Sequence, residues 1–305
     1  MNTVSPMTLG TVQLGMNYGI ANRAGKPAEE TSFAILKTAL EGGVTALDTA
    51  AAYGDSEAVI GRFLKQWTGK KPAIITKVPP LQGSTPEELK DFALRSVEGS
   101  LQRLGIDKAD TILLHGAKDP ILHGQACADA MQALLDRGYT DRVGVSVYTA
   151  EDIEGMLAHG IFSATQIPMS IIDQRLILDG SLERLRQKGY TVFVRSVFTQ
   201  GLFFLDPDQM DDPLLVQYAA PKIRRLRALA AELNLTVAQL AIAFIRDCCG
   251  VTSLALGADT PAQVQENLSY FDTPTLEEAV LSRLYREFSD VNMDEIMKVL
   301  SRPKK

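Results

Sequence analysis

Cysteine and long apolar runs are both scarce in this chain, and each scarcity excludes a class of protein. Only three of the 305 residues are cysteine, and two of these, Cys248 and Cys249, are adjacent. Such a set does not make a framework of disulfides, so a reducing, cytoplasmic location is the expectation. No apolar run approaches the roughly 20 residues that span a bilayer, so no membrane partner is predicted.

Positive charge and histidine are also in short supply. Acidic residues outnumber basic ones by 37 to 31, and a nucleic-acid partner, which usually meets a basic surface, is not predicted. There are three histidines and no H-E-x-x-H motif. His123 and Cys127 are four residues apart, but a structural metal site needs about four ligands, so no metal is predicted. The expected partner is a small-molecule substrate, with a monomer as the default and an oligomer left open.

Short apolar runs alternate with longer helical patterns along most of the chain, which is typical of βα units and a parallel sheet. No linker of biased composition and no low-complexity tract divides it, so a single domain over residues 1–305 is predicted. Eight such units predict an α/β fold, a (β/α)8 TIM barrel with two additional helices. The predicted strands are Thr8–Leu14, Ala46–Thr49, Ala73–Val78, Thr111–His115, Arg142–Ser146, Ala164–Gln166, Thr191–Ser196 and Thr252–Leu256.

A doubly wound dinucleotide-binding fold is the main alternative for this alternation. That fold carries G-x-G-x-x-G after its first strand, whereas Gly10–Gly15 reads GTVQLG, and the mismatch favours the barrel. The connection Thr199–Tyr218 carries Asp and Pro clusters and is predicted to form a loop over the site. The tail Asp290–Lys305 is expected to be short and polar, without a large substrate-gripping loop.

Several apolar runs end in a side chain that can do acid–base chemistry. Asp48, Lys77 and His115 each end a predicted strand, and Tyr53 follows Asp48 by five residues. Each alone is ordinarily structural, but active sites of barrels lie at the carboxyl ends of the strands. A free tyrosine has a pKa of about 10, and a nearby ammonium lowers it. Together these residues predict a general-acid site that polarises a carbonyl group.

These residues carry a family resemblance that covers nearly the whole chain. The segment Asp48-Thr49-Ala50-x-x-Tyr53-Gly54-x-Ser56-Glu57, then Thr76-Lys77 and Leu113-Leu114-His115, resembles the catalytic tetrad of the aldo-keto reductases. The resemblance implies a barrel that binds a nicotinamide cofactor in an extended pose. It also implies reduction of an aldehyde or ketone, sugar-derived carbonyls included, to an alcohol. Tyr53 would donate the proton, Lys77 and Asp48 would tune it, and His115 would orient the carbonyl.

The same resemblance implies cofactor positions, nearly all of them in the second half of the chain. Val147 stands where the family often has Asn, and Arg195 stands where it often has a Tyr that stacks on nicotinamide. Members that prefer NADP typically carry Lys or Arg at the positions of Gly257 and Gln263. NADP(H) is still favoured by family habit, with NAD(H) as the alternative. The implied cofactor residues are Thr11, Ser146, Gln166, Arg195, Ser196, Phe198, Gln200, Gly257, Gln263, Glu266 and Asn267.

Two residues are candidate substrate-binding walls, Tyr18 and Met169, although an ordinary core position is the alternative for Met169. Two other functions stay open at this point. One is an NAD-dependent aldose or alcohol dehydrogenase that runs the same chemistry in reverse. The other is a non-catalytic, nicotinamide-binding regulatory barrel, although such a module has no need of a tuned proton donor.

Overall fold

Eight parallel strands, each hydrogen-bonded to the next along the chain, close into a barrel when the last strand pairs with the first. The computed structural model describes residues 4–20, 22 and 25–302. The closed sheet confirms the predicted (β/α)8 architecture. The strands are β1 Met7–Gly10, β2 Ala46–Asp48, β3 Ala73–Val78, β4 Thr111–Leu114, β5 Val143–Ser146, β6 Ala164–Pro168, β7 Thr191–Arg195 and β8 Ser253–Gly257.

Helices surround this barrel, and a pair of them, α9 (Ala220–Glu232) and α10 (Val237–Arg246), lies between β7 and β8 in the sequence. The helices are α1 Val12–Gly15, α2 Glu29–Glu41, α3 Ser56–Gln66, α4 Pro86–Leu104, α5 Asp119–Asp136, α6 Ala150–Leu157, α7 Arg175–Leu178, α8 Ser181–Gln187, α9 Ala220–Glu232, α10 Val237–Arg246, α11 Pro261–Ser269, α12 Glu278–Phe288 and α13 Met293–Leu300. Among the described residues, no single helix is long and apolar enough to cross a membrane. One pair, Leu215–Glu232 with Val237–Arg246, reaches the threshold only when counted together across an 89° bend.

The interior of the barrel is filled by a small apolar cluster from alternate strand positions. Because side chains of a strand alternate between its two faces, the residue two positions further along points the same way. Asp48, Lys77 and His115 therefore follow Ala46, Ile75 and Leu113 as the next layer toward the carboxyl ends of the strands. The cluster consists of Ala46, Ala73, Ile75, Leu113, Ala164 and Phe193, with Val4 packed against it.

The predicted first strand, Thr8–Leu14, is wrong in its second half. β1 ends at Gly10, and α1 turns back as a single helical turn in which the Leu14 amide donates to Thr11 O (3.0 Å). Glycine makes this turn possible, because a Cβ on Gly15 would lie 1.7 Å from Tyr53 O. The backbone of α1 thus packs directly against the segment that carries Tyr53.

The expectation of a short polar tail over Asp290–Lys305 is also wrong. Residues 293–300 form α13, in which Met293 and Ile296 are buried while charged residues face outward. The connection Thr199–Tyr218 contains a 3-10 turn at Thr199–Phe204 and a π turn at Leu215–Ala219. The tail thus contributes an amphipathic helix to the fold, and the connection contains two short helical turns.

Gly15→Ala is predicted to destabilise the protein, because the added methyl must displace the backbone at Tyr53. Overpacking of this kind costs about 1–3 kcal/mol, which urea denaturation measures as a lower midpoint. Gly160→Ala is the matched control, since a Cβ there meets nothing within 4 Å. Equal midpoints for the two variants would show that the contact of α1 with Tyr53 is not tight.

Candidate active site

A buried ion pair lies at the centre of the layer above the interior cluster. Lys77 Nζ is 2.7 Å from Asp48 Oδ1 and donates to Thr49 O at 2.9 Å. Lys77 is 1% exposed and Asp48 5%. Burial alone disfavours the ammonium, but the charge of Asp48 and the contact with Tyr53 outweigh it and raise the pKa of Lys77 above its usual value. Lys77 is therefore a cation at neutral pH.

Tyr53 lies next to this ammonium, at the edge of a cavity. Lys77 Nζ is 4.8 Å from the centre of the Tyr53 ring. The His115 ring meets the Tyr53 ring edge to face, with centroids 5.8 Å apart and planes at 84°. The sequence-predicted tetrad is thus brought together, with the phenol, the imidazole and the ammonium in one cluster.

His115 is held in its neutral form by its surroundings. Burial disfavours the imidazolium, and the positive charges of Lys77 and Arg195 oppose it further, which lowers the pKa of His115 to about 4. At neutral pH the ring therefore carries one N–H donor and one acceptor nitrogen. A neutral imidazole can donate a hydrogen bond to a carbonyl oxygen without adding a charge.

Hydroxyl groups of the motif fix the segment that carries Tyr53. Ser56 Oγ lies 2.8 Å from Thr11 Oγ1, and Thr49 Oγ1 donates to Ser56 Oγ at 3.1 Å. Thr11 Oγ1 in turn donates to Asp48 O at 2.9 Å. Thr11, predicted as a cofactor residue, uses its buried hydroxyl in this network. The start of α3 is thereby tied to β1 and β2 on either side of the active-site segment.

Glu57, the acid of the same motif, holds the neighbour of Lys77. Thr76 Oγ1 donates to Glu57 Oε1 at 2.6 Å, and Arg103 Nη2 lies 2.7 Å from Glu57 Oε2. Glu57 is 1% exposed, so the two partners replace the water that its carboxylate loses. Ser56 and Glu57 of the motif thus have structural contacts that hold the segment around Tyr53 and Lys77 in place.

A cavity of about 640 Å³ extends from these residues to the β8–α11 unit. Most of the sequence-predicted site residues line it, while Lys77, Ser146 and Gln166 are buried among the strand ends. Met169 is fully buried in the main core, so the structure does not bring it to the cavity. The predicted residues along the lining are Thr11, Tyr18, Asp48, Tyr53, His115, Arg195, Ser196, Phe198, Gln200, Gly257, Gln263, Glu266 and Asn267.

Gln166 has a buried amide oxygen to which a ligand amide can donate a hydrogen bond. Its Nε2 donates to Asp48 Oδ1 at 3.0 Å, whereas its Oε1 is buried and has no hydrogen-bond partner among the residues that the structure describes. A buried amide oxygen without a donor is costly, so this atom favours a ligand that supplies an N–H group. Ser146 lies beside Gln166 in the parallel register of β5 and β6. The carboxamide of a nicotinamide has the chemistry that this pair can bind.

Arg195 enters the cavity from the end of β7. Its guanidinium stacks over the Tyr148 ring at 4.3 Å, and its Nη2 donates a long hydrogen bond to Val147 O at 3.4 Å. Tyr18 faces the same group: burial raises the pKa of Tyr18, and the charge of Arg195 opposes that rise. Sequence reasoning missed Tyr148, whose one signal is its position two residues after the end of β5.

The segment after β7 is held in a strained backbone. Ser196, Thr199 and Gln200 have φ of 62°, 48° and 56°, a region that costs a non-glycine residue roughly 1 kcal/mol or more. The Ile20 amide donates to Gln200 O at 2.9 Å, so the segment after β1 fastens this turn. Such strain is typical of segments that shape a ligand cleft, and Phe198 and Gln200 line the cavity.

The β8–α11 unit forms the other end of the cavity. Asn267 Nδ2 donates to Gly257 O at 3.2 Å, and Gln13, another residue that the sequence did not single out, occupies the space beside Gly257. The start of α11 forms half of a capping box: Thr260 Oγ1 accepts from the Gln263 amide, but Gln263 Oε1 accepts from the amide of Asp259. A basic side chain at Gly257 would displace Gln13, because a Cβ would lie 2.1 Å from its Nε2.

Within residues 4–20, 22 and 25–302, no group of three or more His, Cys, Asp or Glu side chains is placed to hold a metal ion. Of the charged groups at the strand ends, Asp48 and Lys77 are instead paired with each other. The donors described above can bind a carbonyl oxygen and an amide, which are the groups that a carbonyl substrate and a nicotinamide present.

Comparison with known proteins gives a consistent family. The chain is similar to aldo-keto reductase str7 of Strobilurus tenacellus, at 29% identity over 78% of this chain and 74% of that one. It is also similar to the NADH-specific methylglyoxal reductase of Escherichia coli, at 27% identity over 74% of this chain and 78% of that one. The structure of aldo-keto reductase AKR11C1 from Bacillus halodurans (holo form) superposes with a TM-score of 0.77 at 22% identity, covering 93% of this chain and 92% of that one.

A model of the aldo/keto reductase family matches residues 6–286, which include all eight strands and the whole tetrad. The chain therefore belongs to the aldo/keto reductase family, whose members are NAD(P)-dependent oxidoreductases.

Proposed function

We propose that this protein reduces an aldehyde or ketone to an alcohol, with Tyr53 as the proton donor, Lys77 and Asp48 as its supporting pair, and His115 as the residue that orients the carbonyl. The observation that carries the proposal is the buried Asp48–Lys77 pair, with its ammonium 4.8 Å from the centre of the Tyr53 ring. An ion pair out of water is costly, and this one places its positive charge next to a phenol at the cavity.

The tetrad residues each have a distinct task in this proposal. Tyr53 gives its phenolic proton to the carbonyl oxygen as that oxygen becomes an alkoxide. The Lys77 ammonium stabilises the phenolate that is left, and Asp48 keeps the ammonium charged and in place. Neutral His115 donates a hydrogen bond to the same oxygen and thereby polarises the carbonyl before the proton moves.

The cofactor positions follow from the second half of the barrel. A bound nicotinamide would supply hydride to the carbonyl carbon. Gln166 and Ser146 would hold its carboxamide, because the buried Gln166 Oε1 needs a donor. Ser196, Phe198 and Gln200 would line its path, while Gln263, Glu266 and Asn267 would receive the adenosine end. The same residues can run the reverse oxidation, so the direction in the cell depends on substrate supply.

Tyr53→Phe is expected to lower kcat for a panel of small aldehydes by about 10²–10⁴-fold, because it removes the proton that catalysis transfers. The variant should still bind the nicotinamide cofactor, as measured by fluorescence titration, because the phenol only borders the cofactor position. Tyr139→Phe is the matched control, since Tyr139 OH bonds Glu98 away from the cavity. Full activity of Tyr53→Phe would make the catalytic assignment wrong.

The stability of the protein should depend on pH through His115. Between pH 6.5 and about 4 the unfolded chain binds a proton that the folded protein excludes, so the free energy of unfolding falls as pH is lowered through this window. In His115→Asn the decrease in the free energy of unfolding between pH 7.5 and pH 5 should be smaller by about 1–2 kcal/mol, measured by urea denaturation. Equal slopes of unfolding free energy against pH in wild type and His115→Asn would contradict the assignment.

Family habit favours NADP(H), but the residues that line the cavity favour binding of NAD(H). Asp259 and Glu266 line the cavity, and the lining residues that the structure describes include no lysine and one arginine, Arg195 at the end of β7. Carboxylates near the adenosine end disfavour a 2′-phosphate. The relative named as an NADH-specific methylglyoxal reductase supports the same choice. We propose that NADH serves at least as well as NADPH.

Gln263→Arg should shift this preference, because it places a cation on α11 where a 2′-phosphate can pair with it. The ratio of the Kd for NADPH to the Kd for NADH should fall by about 10-fold, measured by fluorescence titration. Gln187→Arg, which adds the same charge on α8, is the control. If wild type binds NADPH about 100-fold more tightly than NADH, the proposal of NADH is wrong.

A further inference from the structure

Arg195 has a charge that the protein itself does not balance. Across the described parts of the chain, no carboxylate lies within ion-pair distance of its guanidinium, and its one hydrogen bond is the 3.4 Å contact with Val147 O. A guanidinium has five N–H donors, so most of its capacity remains for a ligand. A half-buried arginine in this condition is unusual, because charges removed from water are ordinarily paired.

The position of Arg195 places this charge at the reaction site. Arg195 follows the interior residue Phe193 by two positions on β7, so its side chain leaves the strand on the same face as the interior cluster. It lines the cavity together with Tyr53 and His115, and its field contributes to the lowered pKa of His115. Asp48 cannot balance it, since that carboxylate is engaged by Lys77 and Gln166.

The guanidinium is also fixed in orientation before any ligand arrives. The Tyr148 ring covers one of its faces at 4.3 Å, and Val147 O holds one of its nitrogens. A planar, pre-oriented fork of donors is suited to a carboxylate or a phosphate, which it can bind through two hydrogen bonds at once. A stacked arginine with a free edge therefore favours an anion as its occupant.

We infer that Arg195 recognises the anionic group of the substrate, so that the preferred carbonyl compound carries a carboxylate or a phosphate. This inference deepens the proposed function and rests on it for the chemistry at the carbonyl. It also differs from the role that family resemblance implies at this position, which is stacking on the nicotinamide. The two roles make different demands: an anion anchor discriminates among substrates, whereas a stacking residue affects the reduction of all of them.

Matched pairs of substrates separate these roles. Succinic semialdehyde against butanal tests a carboxylate, and glyceraldehyde 3-phosphate against glyceraldehyde tests a phosphate. In wild type, kcat/KM for the charged member of at least one pair should exceed that of the neutral member by 10-fold or more, and the responding pair names the anion. Arg195→Gln should lower that ratio by about 10–100-fold, mainly through KM, and Arg195→Lys should restore part of it.

Arg186→Gln is the control for a change in net charge, because Arg186 pairs with Glu183 on the exposed face of α8. It should leave the ratio of charged to neutral substrate unchanged. A ratio near one for both pairs in wild type, or an equal loss for charged and neutral substrates in Arg195→Gln, would overturn the inference.

A binding measurement distinguishes failure of this inference from failure of the proposed function. Calorimetric titration with butyrate and with inorganic phosphate needs no turnover. Wild type and Tyr53→Phe should both bind one of these anions, and Arg195→Gln should bind it at least 10-fold more weakly. Anion binding that depends on Arg195 in a protein that reduces no carbonyl would refute the proposed function alone. Carbonyl reduction without such binding would refute the anion site alone.

Discussion

The interaction on which the rest of this site depends is the buried ion pair of Lys77 and Asp48. Removing one member of such a pair typically costs about 3–5 kcal/mol, because the other is left charged and without water. β2 and β3 are neighbours in parallel register with Asp48 opposite Ile75, and Lys77 lies two residues further along β3 on the same face, within ion-pair distance of Asp48. Thr49 O and Gln166 Nε2 complete the coordination. The phenol lies next to the resulting cation, and the charge of that cation also acts on the imidazole.

The tetrad could be predicted from the sequence because each apolar run stops at a polar residue on the interior face. A strand buried on both faces has few positions for a charge other than its carboxyl end, so Asp48, Lys77 and His115 indicate the end of the barrel at which the cavity lies. The end of β1 could not be predicted in this way. Val12 and Leu14 continue an apolar pattern, but the chain turns after Gly10, and the glycine at the end of this turn packs against the backbone of Tyr53, 38 residues further along the sequence.

Other parts of the site depend on contacts between distant segments and left little trace in the sequence. Gln13 follows an apolar strand and carries no motif, yet it fills the space beside Gly257 at the other end of the chain. Tyr148 has the composition of an ordinary loop residue and gains its role from the guanidinium that stacks on it. In α13, by contrast, Met293, Ile296, Met297 and Leu300 have the spacing of an apolar helix face, so the expectation of a polar tail overlooked a periodic signal that the sequence contains; Met297 reaches the cavity.

The charges of the cavity also couple the anion site to the proton chemistry. Burial is the largest cause of the lowered pKa of His115, and the cations Lys77 and Arg195 add to it. An anion bound at Arg195 would cancel part of one of these fields and raise the pKa of His115 from its value of about 4. Burial and Lys77 would remain, so the imidazole would stay neutral at neutral pH. Arg195 could thus select a charged substrate without changing the protonation state in which His115 polarises the carbonyl.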